Sequence, residues 1–204
     1  ERVVIGGAVE ADAIVAGGVD ANPEVQWTLS NSDQPFATTT ASRDIAQSFT
    51  VNETGSVPKI SVMLAKIGSP AGDITVHVTN DNGGKPNTSS LANATIKNSS
   101  IGTTPSWIDV AFSSPPSLTI GAQYWIVLDY GSNSTANYWN WRKDDTDAYA
   151  GNTGKYANDW SSGSAAWKNT NGDLAFKVWV GGINTKIENV TIGDPTSGTG
   201  YANL

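Results

Sequence analysis

The sequence predicts an all-β protein, a jelly-roll-like antiparallel β-sandwich with an extended N-terminal strand. Three observations carry that expectation. Short runs in which apolar and polar residues alternate recur along the chain, which is the period of a half-buried strand. Between them stand clusters of turn-formers such as "GSPAGD", "NDNGGKPN", "SSPPS" and "GSNSTA". No window carries a helical period bounded by capping residues. Many short strands spaced in this way point to two packed sheets, and 204 residues are enough to bury a substantial core.

The first element is "VVIGGAVEADAIVAGGV", from Val3 to Val19. Every second residue, starting at Val3, lacks a polar side chain, while Glu10 and Asp12 fall in the other register. As a strand this is one dry face backed by a partly wet one. Fully extended it reaches more than about 50 Å, against ~17–20 Å for an ordinary strand. "GGAVEADA" and "GGVDA" form a small repeat within it, too few copies for a solenoid. Further strands are expected over 25–29, 45–51, 59–67, 73–79, 91–97, 106–112, 117–121, 123–130, 136–142, 173–180 and 186–192. In "DITVHVT", Ile74, Val76 and Val78 face inward and Thr75, His77 and Thr79 outward. In "SWIDVAF", Ile108, Val110 and Phe112 face inward, opposite Trp107 and Asp109. "QYWIVLDY" is apolar on both faces, which predicts a central strand covered on both sides. The chain thus reads as an extended segment over 1–22, a sandwich domain over 23–183, and a C-terminal strand with a polar tail over 184–204.

Composition narrows the function classes. Only 15% of residues are charged, and Gly, Ser, Thr and Asn are abundant, which suits an extracellular, cell-surface setting. A net charge of -7 without a Lys/Arg cluster argues against nucleic acid as a partner. Cysteine is absent, so no disulfide framework exists and the redox compartment is not readable. The opening stretch is too short and too charged to span a bilayer, and it lacks the basic flank of a signal peptide. Glu1 as first residue fits a mature chain freed of a leader, with a trimmed chain the alternative.

"AQSFTV", "ISVMLAKIGSPAGDITVHVTNDNGGKPN", "SWIDVAFSSPPSLTIGAQYWIVLDY" and "LAFKVWV" carry a resemblance. From about residue 24 to 182 the chain resembles the secreted jelly-roll domains of "choice-of-anchor" type, found in bacterial surface proteins and some phage structural proteins. The opening segment is similar to the "ADAI" strand repeats that precede such domains. The resemblance implies a fold and an extracellular setting. It implies no catalytic residues.

Several constellations have chemistry to weigh. His77 is the sole histidine, and with no cysteine a zinc site is close to excluded; no metal and no cofactor are expected. "RKDDTDAY" offers Asp144, Asp145 and Asp147, but without the spacing and glycine of a calcium loop, so a solvated acidic loop is expected. A Ser–His–Asp arrangement would need His77, and no nucleophile elbow accompanies it. Asp129 and Asp159 are the carboxylates within the aromatic-rich half that a glycosidase pair would require. Trp139, Trp141, Trp160 and Trp167 are either core lining or an exposed platform for stacking glycans, with Trp160 and Trp167, on loop-like sequence, the more exposed pair. Glycosylation sequons occur at Asn52, Asn87, Asn93, Asn98, Asn133 and Asn189, a mild excess over chance.

The opening segment is too apolar for a linker and longer than one sandwich needs. Its dry face (Val3, Ile5, Val9, Ala11, Ala13, Val15, Val19) is expected to dock on a neighbouring copy by β-strand addition. Burying its Val and Ile side chains would contribute about 7–15 kcal/mol before ordering costs. A head-to-tail contact of that kind generates fibres. The expectation is a non-enzymatic extracellular subunit that polymerises into a pilus-like filament, with itself as partner. The alternatives are a carbohydrate-binding or adhesive module and a phage or virus fibre or decoration protein.

Overall fold

In a computed structural model of the chain, the residues described are 22–181, 191–193 and 201–203. The protein is an antiparallel β-sandwich, as expected from its alternation. The docking residues Val3, Ile5, Val9, Ala11, Ala13, Val15 and Val19, and the sequon at Asn189, lie outside the described residues.

The strands follow in chain order: β1 (Val25–Trp27), β2 (Ser32–Phe36), β3 (Asp44–Thr50), β4 (Gly55–Ile67), β5 (Ile74–Asp81), β6 (Pro86–Ile96), β7 (Ser106–Ala111), β8 (Ser117–Leu118), β9 (Gln123–Asp129), β10 (Tyr138–Asp144), β11 (Gly154–Ala157), β12 (Lys168–Asn169), β13 (Asp173–Leu174) and β14 (Phe176–Gly181). An eight-stranded sheet is built around β4, β10 and β14. Along one margin β1 pairs with β14 and β2 with β10; along the other β7 and β8 pair with β4. The second sheet has six strands in the order β12-β11-β3-β9-β5-β6. The described part of a separate, smaller unit is one antiparallel ladder, β15 (Thr191–Gly193) against β16 (Tyr201–Asn203).

Each alternating run sends one set of side chains between the sheets. Ile60, Val62 and Leu64 of β4 and Phe176 and Val178 of β14 meet Ile45, Phe49, Val76, Val78, Ile126 and Leu128 of the other sheet, all wholly buried. Side chains of this kind stabilise by about 1.5–3 kcal/mol each when fully buried. Trp139 and Trp141 also point into this layer, and both are 0% exposed. The Trp141 indole donates to the Ala175 carbonyl at 2.7 Å, while Trp139 packs edge-on to Tyr130 with ring centroids 5.6 Å apart.

A polar side chain also enters this layer. Gln47 shares the inward register of Ile45 and Phe49, and it reaches across to the opposite sheet. Its carbonyl accepts from Leu174 N–H at 2.7 Å and its amide donates to Asp173 at 3.2 Å. Asp173, 0% exposed, also accepts from Tyr149 N–H at 2.8 Å. Burial raises the Asp173 carboxyl above the usual aspartate range, against the pull of these two donors.

Proline explains two departures from the expected strands. β4 runs back to Gly55 through Pro58, because Pro58 falls where the β4–β14 ladder shifts register between Trp179 and Gly181. β2, "SDQPF", reads as a turn, yet it forms an edge strand with Pro35 opposite Asn140. An edge strand needs hydrogen bonds on one side only. The turn after β4 depends on Gly68, at φ +66°, where a Cβ would run into the Ala136 carbonyl.

Candidate functional site

The outer face of the six-stranded sheet carries the most unusual chemistry among the described residues. β9 is its central strand, and its two registers are buried on both sides. Tyr124, Ile126 and Leu128 line the main core, while Trp125 and Val127 join Ala46 in a second apolar cluster outside. The loop of residues 158–167 lies over that outer cluster, inserting Trp160 and resting the half-buried Trp167 on it. This is the covering on both sides that "QYWIVLDY" predicts.

Asp44 anchors the loop. It begins β3 in the outward register and is 2% exposed. One carboxyl oxygen accepts from Trp160 N–H at 2.8 Å and the other from Tyr130 N–H at 3.2 Å. Ile45 pairs with Leu128, which makes Asp129 the cross-strand neighbour of Asp44 on the same face. Two carboxylates so placed repel if both are ionised. Burial first, and then the Asp129 charge, raise the Asp44 carboxyl to about 7. Burial also opposes ionisation of Asp129, yet His77, Trp160 and Asp44 together hold its carboxyl below the usual range. The pair therefore holds one proton between two carboxyls, with Asp44 the protonated member below neutrality.

His77 completes the group. Its ring lies 4.3 Å from the Trp160 ring, Nε2 is 3.8 Å from Asp129 Oδ2, and Nδ1 is 3.2 Å from Ser90 Oγ. Ser90 reaches this position because the β5–β6 ladder skips Leu91, pairing Val78 with Ala92 and Thr79 with Ser90. The three side chains stand in the order serine, histidine, aspartate, but not as a nucleophile with its base. The Ser90 hydroxyl donates to the Ala92 carbonyl at 2.6 Å, so Nδ1–H donates to Ser90 Oγ and the hydroxyl proton points away from the ring. His77 Nε2 and Trp160 Nε1 are enclosed, make no hydrogen bond among the described residues, and act on Asp129 at longer range.

The sequence-derived candidates fare unevenly. Trp139 and Trp141 take the core-lining alternative, in the inward register of β10, and Trp160, expected among the more exposed pair, is corrected to a buried side chain. Trp160 is buried although its sequence reads as loop, since the loop folds onto the sheet. Trp167 alone of the four keeps part of its surface. On the outer face of the other sheet Trp107 and Trp179 are covered by cations: Lys177 Nζ sits 4.2 Å from the Trp107 ring and Lys59 Nζ 3.8 Å from Trp179. The acidic loop does not converge. Asp144 is buried and accepts from Thr146 rather than being solvated, and Asp145 pairs with Lys143 at 2.8 Å. Among the described residues no group of three or more His, Cys, Asp or Glu is placed to hold a metal ion. Asp129 has Asp44 as its partner, whereas Asp159 is exposed and accepts from Ser161. Of the described sequons, Asn52 and Asn93 are exposed and Asn87 and Asn133 half-buried; the Asn98 amide is committed to the Pro70 carbonyl. Among the described residues no helix is long and apolar enough to cross a membrane.

Sequence reading missed Asp44 and Ser90. The alternation of "DIAQSFT" does place Asp44 outward, but nothing local shows that Asp129 stands beside it or that a distant loop covers it. No family model, no curated protein and no solved structure matches the chain.

Proposed function

We propose that the protein is a non-enzymatic extracellular structural subunit. It polymerises head to tail into a filament, the N-terminal strand of one copy pairing with the sandwich of the next. The observation that carries this reading is the margin formed by β7. Its one side pairs with β4 from Lys59–Ala111 to Leu64–Ser106, and among the described residues no strand pairs with the other. Ile108 of β7 and Ala94 of β6 lie against the core there without being fully buried. A strand laid along β7 extends the sheet and covers both.

The remaining margins suit an incoming strand less well. β2 contains Pro35, which has no N–H to offer, and β12 has two residues. β6 carries the Leu91 bulge and a run of Ser, Thr and Asn. β1 has three residues, of which Trp27 already stacks on Tyr149 at 5.3 Å. The dry face of Val3, Ile5, Val9, Ala11, Ala13, Val15 and Val19 supplies the apolar complement for β7. The resemblance to choice-of-anchor jelly-roll domains and the sparsely charged surface support the extracellular setting.

The test is electron microscopy and sedimentation of the full chain, of a chain lacking residues 1–20, and of Ile108→Lys. The full chain is expected to form filaments and both variants to remain monomeric. A truncated chain that assembles normally would exclude the strand as the joint.

A further inference from the structure

We propose that the 158–167 loop is a proton-operated cover: it stays closed on the outer face of the six-stranded sheet while Asp44 and Asp129 share a proton, and lifts when both are ionised. The argument begins with what the loop hides. Beneath Trp160 lie Ala46, Trp125 and Val127, an apolar patch on a sheet face that would otherwise meet water. Trp160 is held there by its backbone N–H on Asp44 and by its ring against His77. Both fastenings end on side chains that touch the Asp44–Asp129 pair.

The net charge of that pair changes with its protons. With Asp129 ionised and Asp44 protonated, the carboxyl pair carries one negative charge. The His77 ring packs on the Trp160 ring, centroids 4.3 Å apart, with Nε2 3.8 Å from Asp129 Oδ2. Removing the Asp44 proton leaves two adjacent carboxylates beside the Trp160 anchor. Such a group is costly to keep from water. Lifting the loop hydrates Asp44 and relieves its repulsion with the half-buried Asp129, at the expense of the apolar contact.

The other charged groups on these elements do not offset the change. From the residue before β3, Arg43 is bonded to Asn133; from β11, Lys155 is bonded to Asn169; and from β12, just after the loop, Lys168 is exposed to water. From β5, Asp81 holds the Trp125 indole at 2.8 Å, and from the loop itself Asp159 is capped by Ser161. Asn93 and Ser90 of β6 and Thr75 and Thr79 of β5 are uncharged. The Tyr130 hydroxyl is bound to the Ala71 carbonyl. The rise of the Asp44 carboxyl to about 7 sets the range in which the cover responds.

The experiment is hydrogen exchange of the full chain, reading the Trp160 amide at a series of pH values after correction for intrinsic exchange. Its protection is expected to fall about tenfold or more between about pH 5 and about pH 9, while amides in β4 keep theirs. Asp44→Asn removes the titrating group, and Asp129→Asn removes the repulsion while leaving the Trp160 N–H anchor of the loop on Asp44. Either substitution is expected to flatten the dependence to about threefold or less. A wild-type amide with no pH response beyond intrinsic chemistry overturns the proposal. So does an Asp129→Asn variant as responsive as wild type, whether or not Asp44→Asn folds. Filament formation plays no part in this readout.

Discussion

Replacing Asp44 by asparagine tests the buried carboxyl pair through global stability. Burial lifts the Asp44 carboxyl to about 7 in the folded protein, whereas an unfolded aspartate titrates near ~3.9. The folded state therefore holds this proton more tightly than the unfolded chain does. The stabilisation is fully present below about pH 4 and is lost as pH rises through about 7. Three units at about 1.4 kcal/mol each set the loss at about 4 kcal/mol, and reorganisation around the charge reduces the expectation to about 2–4 kcal/mol. Asp129 works in the opposite sense, since its carboxyl is held low; its contribution is lost as pH falls below about 4, outside this window. Asp173 is raised like Asp44, but it is present in both proteins and cancels in their difference. The asparagine offers one oxygen where the carboxyl offers two, so either Trp160 or Tyr130 N–H loses its acceptor, at about 1–2 kcal/mol at any pH. Urea unfolding across the window is the assay. Near pH 4 the variant is expected to be the less stable protein, and between about pH 4 and about pH 8 the difference should move in its favour by about 2–4 kcal/mol. A difference that stays constant over that range refutes the reasoning.

Three further outcomes follow from the fold. Gln47→Leu leaves Leu174 N–H without an acceptor and Asp173 without one of its donors, and should lower the urea midpoint by the equivalent of about 2–4 kcal/mol despite a more apolar core. Trp139→Ala should cost about 3–5 kcal/mol in the same assay, and glycan binding by any array should be indifferent to it in molecules that remain folded. Lys59→Ala removes an ion pair with Asp109 and a cation over Trp179, both at the surface, and should change stability by about 1 kcal/mol or less, with the Trp179 emission shifting to the red.

How far the sequence carries depends on where the information sits. Alternation within a strand is local, so the inward set Ile74, Val76 and Val78 and the doubly buried β9 were legible residue by residue. Trp139 and Trp141 were legible as sharing one face, but not as facing inward, because an indole is equally at home against a core or a ligand. Short strands that borrow their definition from neighbours leave no local signal. β2 has a proline, and β11 and β12 are held mainly by pairing with β3 and with each other. The acidic site was hidden for a stricter reason. Asp44, Asp129, His77 and Trp160 come from four separate parts of the chain, and strand order, which no local pattern encodes, decides that they meet.

The amide of Gln47 has a consequence for how the two layers find each other. Hydrocarbon contacts tolerate sliding, and a sheet displaced by two residues would present much the same greasy face to its partner. The side chain of Gln47 does not tolerate it: displaced, the amide, the Asp173 carboxyl and a peptide N–H are all stranded in a dry interior at once. A single glutamine thereby acts as an alignment key, admitting one seating of the layers and rejecting the near misses.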